Sequence, residues 1–145
     1  MLIGQKAPQF EVPDQSGALF FSSSLTGKPY LLAFGATWCI PCKKNYPLLN
    51  KIYQENKAKG FEIVSVNLDA DRKKWEEQIL SYNLNWINVS ELVEWEKSKI
   101  SKLFDVRALP FYLLIDKNGV IVYNSFQLDD IEGRQLKKYI DSILN

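Results

Sequence analysis

Apolar positions along the chain follow two different periods, and the changes from one to the other mark out its elements. Residues 30–36 are almost wholly apolar and follow Gly27, Lys28 and Pro29. A short run bounded by turn residues suits a strand covered on both faces better than a helix. Tyr46, Leu49, Ile52 and Tyr53 then recur at helical spacing up to Gly60, a residue suited to a left-handed helix stop. The spacing predicts a helix over about residues 39–59, kinked at Pro47, where a backbone donor is missing. Residues 61–68 read as a second strand. Asp69 and Asp71 can cap a helix carrying Trp75, Ile79 and Tyr82. Residues 86–89 are expected to be extended, with a helix over about 96–104. Residues 111–115 and 120–126 flank Asn118 and Gly119, a pair that favours a tight antiparallel hairpin. Leu136, Tyr139, Ile140 and Ile143 mark a closing amphipathic helix. Strands alternating with helices and ending in an antiparallel element predict an α/β class with a mixed sheet. With no repeat or long linker, residues 1–145 are expected to form one domain.

Composition narrows the function classes. Lys and Arg number 18 against 17 Asp and Glu, so a formal charge of +1 gives no footprint for nucleic acid or an anionic membrane. The longest nearly apolar stretch, residues 30–38, falls well short of the roughly 20 residues a membrane helix needs. Residues 1–10 lack the apolar core of a secretory leader, which fits either a cytosolic protein or a mature exported domain. The chain has no histidine, which removes the most frequent general base and the commonest metal ligand. Two cysteines are too few for a disulfide framework, and a bond across so short a spacing constrains little chain.

Those two cysteines carry the chemistry. Trp38-Cys39-Ile40-Pro41-Cys42 lies where a buried strand passes into a helix, which places Cys39 near the first turn. Free backbone donors and the positive end of the helix dipole favour a thiolate there, and the thiolate attacks disulfides. Cys42, three residues on, lies on the same helical face and can reach Cys39. Cys39 is the expected nucleophile and Cys42 the expected resolving thiol: a mixed disulfide forms on Cys39 and is released by Cys42. Pro41 suits a first turn, where its missing donor costs no intrahelical bond.

Four segments resemble the thioredoxins, and among them the TlpA and ResA type of extracytoplasmic thioredoxin: residues 4–10, Gly27-Lys28, residues 36–44 and residues 109–116. The resemblance runs nearly end to end. It implies a thioredoxin fold, a central mixed sheet flanked by helices, with an N-terminal extension and a strand-helix insertion over about residues 69–97. It implies a thiol-disulfide oxidoreductase, most naturally one that reduces protein disulfides, with no cofactor beyond the Cys39 to Cys42 pair. It further implies a cis bond at Pro110 facing the pair, with Leu109 offering backbone to a partner. By the same resemblance the protein is extracytoplasmic, recharged by a donor such as a membrane thiol reductase, and a monomer. Two positions depart from the pattern. Plain thioredoxins carry an aspartate where this chain has Ala33, and TlpA-like proteins often carry a glutamate where it has Asn45. The Cys42 proton is then expected to go to water or to an acid elsewhere.

Bland readings stand beside these. The cysteines could be a structural disulfide, half a zinc site or inert thiols, although zinc needs further ligands and the chain has no histidine or third cysteine. Trp38 could be a core aromatic, but beside Cys39 it reads better as apolar docking surface. Trp75, Trp86 and Trp95 read as packing residues away from the motif, and Lys43, Lys44 and residues 72–74 as solvated helix faces. A redox-silent binding module and a peroxiredoxin-like peroxidase are the competing functions. A peroxidase would carry its reactive cysteine in a Thr- and Pro-bearing loop with a separate arginine.

Overall fold

The computed structural model describes residues 1–144. A small hairpin of β1 (Glu11–Pro13) and β2 (Leu19–Phe21) precedes the main sheet. β3 (Tyr30–Gly35), α1 (Ile40–Asn56), β4 (Glu62–Asn67), α2 (Arg72–Ser81) and β5 (Ile87–Ser90) follow. α3 (Lys99–Leu103), β6 (Phe111–Ile115), β7 (Ile121–Asn124) and α4 (Leu136–Leu144) complete the order. The five-stranded sheet runs β5-β4-β3-β6-β7, with β3, β4 and β5 mutually parallel and β6 and β7 antiparallel.

β3 is central, and its alternate residues feed two cores. Leu32 and Phe34 pack with Phe10, Val12, Leu25 and Phe104 on one face, while Leu31 and Ala33 meet Tyr46, Leu49 and Ile52 of α1 and Leu136 and Ile140 of α4 on the other. Full burial of such side chains is worth roughly 1.5–3 kcal/mol each, which is why an apolar run, rather than an alternating one, builds this strand. On the α1 face, register aligns Ala33 with Ser65 and Tyr112, Ser65 with Asn88, and Gly35 with Asn67. The carboxyl ends of the parallel strands therefore carry small or polar side chains under the start of α1.

Several elements depart from the periodicity. α1 begins one residue after Cys39 and runs through Pro47 to Asn56; a 3-10 turn then leads to Gly60 at φ 86°. The helix expected over 96–104 is broken: a 3-10 turn at Trp95–Lys97 ends at Ser98, whose hydroxyl caps the five-residue α3 by accepting from Ser101 N–H. Ser98 is held there by donating to Glu91 at 2.6 Å, a local competitor that periodicity does not register. At the β6–β7 turn only Gly119 has positive φ, 78°, and Asp116 Oδ1 accepts from the N–H groups of Asn118 and Val120. The second hairpin strand ends at Asn124, short of the expected residue 126. The β1–β2 hairpin was not anticipated.

Residues 1–14 cross from one edge of the sheet to the other. Gly4 N–H and Ile121 N–H bond to Ile121 and Gln5 carbonyls beside β7, and Asp14 bridges Val89 of β5.

Burial pushes the phenols of Tyr30 and Tyr112 up to about 12 from the ordinary 10.0. A phenol raised on folding supports the native state fully below its unfolded pKa. Between pH 10 and pH 12 the unfolded chain loses protons that the folded one keeps. Stability is therefore expected to be flat from pH 7 to 9 and to fall steadily above about pH 10, as phenols titrate. Melting temperatures from pH 7 to 12 test this; a flat profile above pH 10 would refute it.

Candidate active site at the start of α1

The turn from β3 into α1 is set by two features. Cys39 is the N-cap, in extended conformation, and its Sγ accepts the backbone N–H of Cys42 at 3.2 Å. Pro41 stands in the first turn, where a backbone N–H would find no helical acceptor. Cys39 and Cys42 are joined by a disulfide, with Cα atoms 5.4 Å apart, within the usual span for such a bond. Cys42 lies against Gly35, where an added Cβ would meet Cys42 Sγ at 3.3 Å. A helix N-cap sulfur receiving an amide hydrogen gives up its proton readily, because the donor stabilises the anion and not the thiol.

The surroundings divide into an exposed rim and a buried floor. Trp38 is 58% and Ile40 65% exposed, whereas Cys39 is 4% and Cys42 3% exposed. Leu109 is partly buried and packs against Ala36, Cys39 and Cys42, and the Leu109–Pro110 peptide is cis. Pro110 is buried and lines the same small cavity as Cys42. The five residues expected at the site, Trp38, Cys39, Cys42, Leu109 and Pro110, are thus adjacent.

Two further residues belong here. Trp95 was read as remote packing, but its ring stacks on Trp38, centroids 6.3 Å apart at 27°, and so extends the apolar rim. The broken helix at Ser98 delivers it there. Asp69 was read as a helix cap, yet Asp71 alone caps α2, by accepting from Lys74 N–H. The buried Asp69 instead accepts Thr37 N–H through Oδ2 at 2.7 Å and Asp71 N–H through Oδ1 at 3.1 Å, tying the β4–α2 turn to the loop before Cys39. The acidic pair alone does not tell which member folds inward. At position 45 the amide is structural: Asn45 Nδ2 donates to Tyr112 Oη at 2.8 Å and to the Glu132 carbonyl at 2.9 Å. Among the described residues, no cluster of three or more His, Cys, Asp or Glu side chains could hold a metal ion.

A dithiol-disulfide pair at a helix start, beside a cis-proline turn on a mixed sheet, matches a known family pattern. The family model described as Thioredoxin-like matches residues 27–121. The chain belongs to the thioredoxin-like family. Among its thioredoxin-like relatives is the thiol-disulfide oxidoreductase ResA of Bacillus cereus, 33% identical over 144 residues, covering 99% of this chain and 78% of that protein. ResA of Bacillus subtilis is 34% identical over 119 residues, covering 82% of this chain and 64% of that protein. The thioredoxin domain of a thiol-disulfide oxidoreductase from Bacteroides vulgatus superposes with a TM-score of 0.86 at 26% identity, covering 100% and 99% of the two chains. A thiol-disulfide oxidoreductase from Bacteroides fragilis gives 0.84 at 28%, covering 95% and 98%. The fold is the thioredoxin fold, and with the Cys39–Cys42 disulfide in place this chain is a thiol-disulfide oxidoreductase.

Proposed function

We propose that this protein reduces disulfides in partner proteins, with Cys39 as the attacking thiolate and Cys42 as the resolving thiol. The observation that carries the assignment is the Cys42 N–H to Cys39 Sγ bond at the N-terminus of α1, which favours the anion on Cys39. The attack moves electrons from Cys39 to the nearer partner sulfur and expels the other partner sulfur as a thiolate. Cys42 then attacks Cys39, the second partner sulfur leaves, and the Cys39–Cys42 disulfide is restored. A partner would sit on the exposed rim of Trp38, Trp95 and Ile40, with Leu109 and Pro110 meeting its backbone. No nucleic acid, metal or organic cofactor enters the cycle.

The wider setting follows the same reading. The chain acts as one thioredoxin-like domain and as a monomer, outside the cytoplasm, where a thiol donor such as a membrane reductase returns the pair to the dithiol. Among the described residues, no helix is long and apolar enough to cross a membrane.

Equilibration in graded dithiothreitol or glutathione buffers, with thiol trapping and mass counting, tests the proposal. A two-electron transition is expected in the wild type and in neither Cys39→Ser nor Cys42→Ser. A midpoint toward roughly −270 mV fits a reductant and one toward roughly −120 mV an oxidant, which would reverse the proposed direction. Absence of any transition would remove the couple altogether.

A further inference from the structure

Behind Cys42 the small residues Ala33, Gly35 and Ser65 leave a cavity of about 20 Å³ between the sheet and α1, also lined by Tyr46, Asn67, Gln78 and Asn88. One water molecule needs roughly 10–15 Å³ of such space, and it needs polar partners. Three are on hand. Asn67 Oδ1, Gln78 Oε1 and Asn88 Oδ1 have no hydrogen-bond partner in the protein, although the three residues are only 6%, 8% and 1% exposed. A buried amide oxygen left unpaired keeps the full cost of its desolvation, so three beside one cavity call for a donor within it.

The amide groups are fixed in this orientation by what their nitrogens do. Asn88 Nδ2 donates to the Leu84 and Trp86 carbonyls, both at 2.9 Å, and Asn67 Nδ2 to the Asp69 carbonyl at 3.1 Å and Ser90 Oγ at 3.0 Å. Gln78 Nε2 donates to Tyr46 Oη at 3.0 Å, and that hydroxyl lies over Gly35 together with Cys42 Sγ. The three acceptors are therefore left out of the protein's own bonds, on residues that line the cavity together with Cys42.

We infer that this cavity is a binding site for one water molecule, held by the amide oxygens of Asn67, Gln78 and Asn88, which accepts the Cys42 proton during resolution. The inference rests on the proposed roles of Cys39 and Cys42. A neutral water donates to two of these three oxygens at a time and keeps a lone pair for the Cys42 S–H. As Cys42 Sγ attacks Cys39 Sγ, the S–H bond breaks and its proton passes to the water. The new Cys39–Cys42 bond forms, the bond from Cys39 to the partner sulfur breaks, and the partner leaves as a thiolate. That thiolate takes a proton from solvent while the water returns its surplus proton to solvent, so the cycle neither gains nor loses one. The unpartnered amide oxygens beside the cavity stabilise the positive charge it carries at that moment, without a carboxylate. Gln78, Asn67 and Asn88 are positioning residues, since they act through the water.

An aromatic disulfide whose thiolate absorbs in the visible separates the two steps in a stopped-flow instrument. The reduced protein releases a first thiolate when Cys39 attacks and a second when Cys42 resolves. In Gln78→Met, which keeps the length of the side chain and loses its oxygen, the first release is expected unchanged and the second slowed roughly tenfold near pH 7. The deficit should close at alkaline pH, where Cys42 ionises unaided. Ala33→Asp, which puts a carboxylate into the same cavity, should restore the second release in the Gln78→Met background. A high-resolution crystal structure should place a water within hydrogen-bond distance of at least two of the three oxygens. An unchanged second release in Gln78→Met, equal slowing of both steps, or a dry cavity would overturn the inference. A wild type that gives no second release would instead remove the proposed roles of the two cysteines.

Discussion

Replacing Cys42 by Ser will arrest the protein on its partner, while replacing Cys39 by Ser will leave no reaction at all. In Cys42→Ser the attacking thiol keeps its place as N-cap of α1 and keeps the residue 42 backbone N–H that faces it at 3.2 Å. Attack proceeds, but no second sulfur is within reach to release the product, so a covalent complex through Cys39 accumulates. In Cys39→Ser the remaining thiol is Cys42, 3% exposed and packed against Gly35. It lacks the helix-start donor that Cys39 has, and its sulfur faces Gly35 and the sheet. Turnover in both variants should fall to the uncatalysed background, and only Cys42→Ser should give a mixed disulfide by mass after incubation with a disulfide-bonded protein. Complexes of equal yield from the two variants would exchange the assigned roles.

Asp69→Ala should damage both stability and the loop that leads into Cys39. Its carboxylate accepts the backbone N–H groups of Thr37 and Asp71, and Asn67 Nδ2 stands 3.5 Å from Oδ1. Truncation leaves the Thr37 N–H without its acceptor at a site only 9% exposed, and an orphaned buried donor costs about 1–3 kcal/mol. With the second amide loosened as well, a loss of about 2–4 kcal/mol is expected, or a fall of on the order of 10 °C in melting temperature. The loop that carries Trp38 into Cys39 loses its tether, so attack on a partner should slow in the same variant. Asp69→Asn keeps one acceptor oxygen and should recover about half of the loss. A change within about 0.5 kcal/mol for Asp69→Ala would show that solvent satisfies Thr37 and that the tether is dispensable.

The readable parts of this chain are those in which one physical signal dominates. β3 was legible because a strand covered on both faces must be apolar throughout, and Leu31, Leu32 and Phe34 are. α1 and α4 were legible from their spacing, and the redox pair from its place between a buried strand and a helix. Where a side chain competes with the backbone, periodicity was silent. Ser98 and Glu91 divide the expected helix, and Asp116 reshapes the hairpin turn around Gly119 alone. The β1–β2 hairpin has strands of three residues, too short to impose a period. The place of Trp95 and Asp69 at the site was not legible because both are brought to the loop at Cys39 from distant parts of the chain. The missing acid at positions 33 and 45 was visible in the sequence. The amide-lined recess behind Cys42, with parts from β4, α2 and β5, required the strand register.

The leading segment that crosses the sheet has a consequence for assembly. An open five-stranded sheet ordinarily offers two unpaired margins to other chains, and such margins seed intermolecular strand pairing. Here Gly4 and Gln5 occupy the margin at β7, and Asp14 occupies part of the one at β5. Strand-by-strand addition is thereby blocked at β7 and hindered at β5. What the fold leaves open beside the disulfide is the loop surface of Trp38 and Ile40, so a polypeptide resting there would not become continuous with the sheet.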